Sequence, residues 1–76
     1  MEQRKHLWNG RWGRLARRDI FLREDGGRWY IEDRRGGAEG TSTWFDYDDE
    51  DAALDRIGVL MNTSDGWSEI NASRRG

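Results

Sequence analysis

Apolar and polar residues alternate most clearly between positions 19 and 32. Asp19-Ile20-Phe21-Leu22-Arg23 and Arg28-Trp29-Tyr30-Ile31-Glu32 are β-prone runs separated by Glu24-Asp25-Gly26-Gly27. An acidic–Gly–Gly turn between two such runs signals a hairpin. A two-residue turn at Asp25-Gly26, or a four-residue loop over 24–27, sets Leu22 opposite Trp29, Phe21 opposite Tyr30 and Ile20 opposite Ile31. Ile20, Leu22, Trp29 and Ile31 then share one face, and Phe21 and Tyr30 the other. After a glycine-rich connection, Thr41-Ser42-Thr43-Trp44-Phe45-Asp46-Tyr47 reads as a further strand. It presents Thr43, Phe45 and Tyr47 on one side and Ser42, Trp44 and Asp46 on the other.

The period then changes. Ala53, Leu54, Ile57, Leu60 and Met61 recur at helical spacing. Asp48 is suited to the N-cap, with Asp49, Glu50 and Asp51 at the positive end of the helix dipole. Gly58 is costly inside a helix and is explained if it lets the helix lie close on the sheet. Asn62 to Gly66 ends the helix, and Trp67 folds back as a lid on the core edge. Residues 1–13 show no clean period and read as an irregular basic arm, with a short strand near Trp12–Ala16. Residues 71–76 read as a frayed tail. The prediction is an α+β fold: a small antiparallel sheet of three or four strands with one C-terminal α-helix packed across one face. Strands fall near 19–24, 28–34 and 41–47, the helix near 49–62. The expected core is Ile20, Leu22, Trp29, Ile31, Phe45, Leu54, Ile57, Leu60 and Met61.

Length limits what such a fold can do. Seventy-six residues form one domain, with charged residues at 37% and hydrophobic ones at 34%, so a few large side chains must supply the core. Five tryptophans are the obvious source. The chain has no cysteine, which removes disulfides, thiolate metal sites and thiol nucleophiles. No apolar run approaches the roughly 18 residues of a membrane span, and the N-terminus does not read as a secretory signal. A cytoplasmic protein without membrane association is expected.

Charge is segregated behind a net value of −2. Arg4, Lys5, Arg11, Arg14, Arg17 and Arg18 crowd the first eighteen residues against Glu2 alone. Asp46, Asp48, Asp49, Glu50, Asp51 and Asp55 crowd positions 46–55 with no base. The asymmetry fits either an interaction surface or attraction between the two segments within the fold. Twelve of the thirteen basic residues are arginine, a usage that a GC-rich genome also produces.

Candidate chemistry is sparse. From Asp46, the sixth and twelfth positions of a calcium loop fall on Asp51 and Ile57, where glycine and glutamate are required. No metal or other cofactor is expected. His6 lies in the arm, and Ser42, Ser64 and Ser68 have no histidine partner, so neither a general base nor a hydrolytic triad is assembled. Gly36-Gly37-Ala38-Glu39-Gly40 lacks the ending of a phosphate-binding loop and precedes a strand. The chain reads as non-enzymatic.

Aromatic residues are in excess of what one helix can cover. Phe21, Tyr30 and Trp44 fall opposite the helix-covered face and are the expected contact residues for a protein partner or a second copy of the chain. The alternative is nucleic-acid binding by the N-terminal arm. There Arg11, Arg14, Arg17 and Arg18, with Arg35, contact phosphates, and Trp8 or Trp12 stacks on bases.

Trp29-Tyr30-Ile31, then Arg35, Gly37 and Gly40, Trp44-Phe45, the Glu50–Leu54 helix start and Gly66-Trp67 form an ordered series. Over residues 28–67 this series resembles the second half of a WGR domain, a nucleic-acid-binding module of poly(ADP-ribose) polymerases and some bacterial proteins. The signature Trp and Gly of that family fall on Asp33 and Arg34, leaving the Arg at Arg35, and the literal Trp12-Gly13-Arg14 lies a hairpin earlier. The resemblance implies a sheet-plus-helix architecture and nucleic-acid binding. In size and composition the chain also resembles short bacterial proteins.

Overall fold

The computed structural model describes residues 2–10, 16–37, 40–62 and 66–70. Strands β1 (Glu2–Trp8), β2 (Arg18–Asp25), β3 (Arg28–Arg35) and β4 (Thr41–Tyr47) precede helix α1 (Glu50–Met61) and the short strand β5 (Ser68–Glu69). All pair antiparallel in one sheet of order β4-β3-β2-β1-β5. The helix packs on one face, so the fold is α+β.

The central hairpin keeps its expected faces but not its expected register. Leu22 pairs with Ile31, Arg23 with Tyr30 and Glu24 with Trp29, and the turn is Gly26-Gly27. Both glycines have positive φ, +61° and +90°, as a two-residue type I′ turn requires. A turn at Asp25-Gly26 would force an aspartate into that region. The pairing slides by two residues, an even step, so no side chain changes face.

The largest difference lies at the N-terminus. Residues 2–8 of the predicted irregular arm are strand β1, paired along β2 with a bulge between Gln3 and Lys5. Leu7 is its one buried apolar residue on the helix side, too little to print a period of two on the sequence. Asn9, itself buried, fixes the exit from β1. Its Nδ2 donates to the Ala16 carbonyl at 2.7 Å, and its Oδ1 accepts from the Arg18 amide at 3.1 Å. The expected strand near Trp12–Ala16 and the frayed tail lie outside the described residues, apart from Ala16, which is in a turn.

Leu7, Ile20, Leu22 and Ile31 from the sheet meet Ala53 and Ile57 from α1 in the core. Trp29, Phe45, Tyr47, Leu54, Leu60, Met61 and Trp67 pack around them. All nine expected core residues therefore belong to this cluster, and Trp67 packs at its edge. The helix begins one residue later than expected, with Asp49 rather than Asp48 as N-cap and its side chain accepting from the Ala52 amide at 2.8 Å. Gly58 does not bring the helix onto the sheet: it is exposed, and a Cβ there would meet nothing within 4 Å.

At the far side of β1, Leu7 pairs with Glu69 and Trp8 with Ser68, and the Ile70 amide donates to the His6 carbonyl at 2.7 Å. Gly10 and Gly66 abut there with φ of +75° and +91°. A Cβ on Gly10 would lie 3.0 Å from the Gly66 carbonyl oxygen.

Candidate functional site

Strand alternation puts a set of chemically mixed side chains on the face that α1 does not cover. Cross-strand pairing arranges them in rows. The middle row runs Trp44, Glu32, Phe21, His6 from β4 to β1. One flanking row is Asp46, Tyr30, Arg23; the other is Ser42, Arg34, Asp19, Trp8. Aromatic rings and charged groups are thus interspersed over the face, with Arg34 directly beside Asp19.

Glu32 organises the middle of this face. Its carboxylate is buried, although it sits on the uncovered side, because neighbouring side chains close over it. Arg23 Nη1 donates to Oε1 at 2.8 Å, and Arg34 Nε and Ser42 Oγ donate to Oε2 at 2.9 and 2.6 Å. The same two guanidinium groups lie over Phe21, 4.7 and 4.8 Å from its centroid. His6 stacks on Phe21 at 4.2 Å. Phe21 is consequently 8% exposed and supports the surface from below. Arg23 also lies 5.7 Å from the ring centre of Trp44, which is 55% exposed. Tyr30 is half-buried beside Arg23.

A second carboxylate, Asp19, anchors the β1 side. It is 3% exposed and accepts from His6 Nε2 at 2.7 Å and from Arg17 Nε at 2.8 Å. Burial alone pushes both carboxyls up, as desolvation disfavours the charged form. For Asp19 the hydrogen bonds and charges of Arg17 and His6 outweigh that push. For Glu32 those of Ser42, Arg23 and Arg34 do. Both carboxyls end below their ordinary values. Each is a weaker base than a free carboxylate and is already engaged by donors. The arrangement holds charge in place and is poorly suited to moving protons.

The three expected contact residues, Phe21, Tyr30 and Trp44, do share this face, at different depths. Of the residues of the nucleic-acid alternative, the four that are described fall into two pairs on opposite faces. Trp8 and Arg17 lie on the uncovered face, with the Arg17 guanidinium 5.1 Å from the Trp8 ring centre. Arg18 lies on the helix side, donating to Asp33 at 2.9 Å and placed over Trp67 at 5.5 Å. Arg35 pairs with Arg18 across the strands and lies 3.8 Å from Asp33. Arg11, Trp12 and Arg14 fall outside the described residues.

The acidic stretch also finds a partner that segment charge alone did not indicate. Asp46 and Asp48 bind Arg28 at the hairpin turn, while Arg4 pairs with Glu2 and Glu24 and Lys5 with Glu69. Sequence reasoning missed Glu32, Asp19 and Asn9. A carboxylate in an alternating strand reads as solvated charge; the one available signal was arginine two or fewer positions away. Among the described residues no group of three or more His, Asp or Glu side chains is placed to hold a metal ion, and no helix is long and apolar enough to cross a membrane. Compared with protein-family models, curated proteins and solved structures, the chain matches none.

Proposed function

We propose that this protein is a non-enzymatic interaction module that binds another protein through the uncovered aromatic–arginine face of its sheet. The observation that carries the reading is Trp44, more than half exposed and set beside Arg23 on a face without a covering element among the described residues. Trp, Tyr and Arg are the side chains that most often dominate protein interfaces. Here Arg23 and Arg34 are already fixed by Glu32, so little side-chain freedom remains to be lost on binding. The test is a comparative affinity capture with the wild-type chain and a Trp44→Ala, Arg23→Gln variant of matched circular dichroism. A protein retained by the first and lost by the second is expected. Identical captured sets would sink the proposal.

A second reading rests on Trp8 beneath Arg17, since an aromatic plane beside an arginine suits a stacked base and its phosphate. The WGR-like series points the same way. It predicts quenching of tryptophan fluorescence by short single-stranded oligonucleotides, weakening as salt rises because bound phosphates release counterions. An absence of binding at low salt would remove it.

A further inference from the structure

We propose that β4 is a self-pairing edge, through which two copies of the chain join their sheets into one. The proposal concerns the backbone rim of the sheet; it shares Trp44 with the face read above as a partner surface, and the variant that tests it lies on the other side of the sheet. Among the described residues no strand pairs with the outer side of β4. Its seven residues run in continuous register with β3, without a bulge. Natural edge strands are usually blunted by lysine, proline, a bulge or short length. The opposite edge, β5, follows that rule with two residues. In β4, Thr-Ser-Thr-Trp-Phe-Asp-Tyr follows none of it: Asp46 is its one charge, and the chain contains no proline.

What flanks this edge indicates a second copy as its occupant. Two large hydrophobic residues stand out as exposed among the described residues, Trp44 at 55% and Val59 at 60%. They lie on opposite sides of the sheet, both beside β4. On the helix side, Tyr47, Ala52, Asp55, Arg56 and Val59 line an open groove of about 260 Å³, with Arg56 donating to the Tyr47 hydroxyl at 2.9 Å. A two-fold axis through an antiparallel β4 pair stands perpendicular to the sheet, so both helices, each with its groove, fall on one side of the joined sheet. Asp55 and Arg56 make that surface charge-complementary to itself, as an isologous contact requires. In the register centred on Trp44, that residue meets Trp44 of the second copy. Ser42 then faces Asp46, Thr43 faces Phe45 and Thr41 faces Tyr47. No like charges are opposed, and the apolar pairs are of the kind that stabilise sheets.

The experiment combines sedimentation with amide exchange, on the full chain, across a range of protein concentrations. A concentration-dependent dimer is expected, with slower exchange at alternate amides of β4 as dimer accumulates. Val59→Asp leaves the uncovered face intact and replaces the exposed apolar group that flanks the edge on the helix side with a charge. It should raise the dimer dissociation constant by about tenfold or more, the order expected from unburying one valine alone. Circular dichroism confirms that the variant is folded. A strict monomer overturns the proposal. So does a dimer whose β4 amides gain no protection, since it must form elsewhere. A monomer whose β4 amides are protected only by an added extended peptide overturns it in favour of a foreign strand.

Discussion

Glu32 shows how one acidic side chain can hold a surface together. Three donors converge on it, and two of them also cap Phe21. Glu32→Gln keeps the shape but leaves two guanidinium groups without their counter-charge. It should cost about 1–3 kcal/mol, read from the midpoint of urea unfolding. The effect carries a pH signature. A carboxyl whose folded value lies below its unfolded value stabilises fully above the unfolded value and loses that contribution as pH falls through the folded one. With ordinary values of 4.5 for Glu32 and 3.8 for Asp19, both shifted down, stability should fall as acid is added below about pH 4.5. The variant should show a shallower decline over that range. Equal slopes would mean that Glu32 is not held ionised by its neighbours. No reading of alternation alone predicts this role, because the arginines that bury Glu32 reach it from the two neighbouring positions on its own and the adjoining strand.

At the scale of elements, α1 offers the cleanest test. Gly58 faces solvent with open space where a Cβ would go, so it brings only the entropic cost of glycine in a helix. Gly58→Ala should raise stability by about 0.5–1 kcal/mol, seen as a higher melting temperature. A lower one would show that Gly58 serves a contact outside the folded monomer. The helix itself was legible, since five apolar residues at helical spacing follow a run of acids. The hairpin was legible in its faces and not in its register: parity follows from alternation, whereas the choice between Asp25-Gly26 and Gly26-Gly27 turns on backbone angles. Strand β1 was not legible. Glu2 to His6 carry no apolar residue, and they become a strand because β2 offers them a row of backbone partners. Trp44 and Tyr30 were placed correctly by alternation within single strands, while the depth of Phe21 depended on arginines from β2 and β3.

Across the whole molecule, the sheet mixes two kinds of pairing. β1 to β4 each pair with their sequence neighbour, whereas β5 returns from position 69 to pair with position 7. The return is short and exposed, so few backbone bonds offset the entropy of ordering it. Amide exchange should find Ile70, bonded to the His6 carbonyl, opening well before Leu22 and Ile31 at the centre of the sheet. Equal protection would make β5 part of the cooperative core. The same topology has a meaning for assembly in time. During synthesis the chain emerges from its N-terminus, and β2, β3 and β4 each follow the strand they pair with. The abutting glycines at positions 10 and 66 are the latch, engaged only when the last strand arrives. A bulky residue at either would strain the backbone there and crowd the facing carbonyl, leaving the nascent meander intact while weakening its final closure and separating the birth of the sheet from its completion.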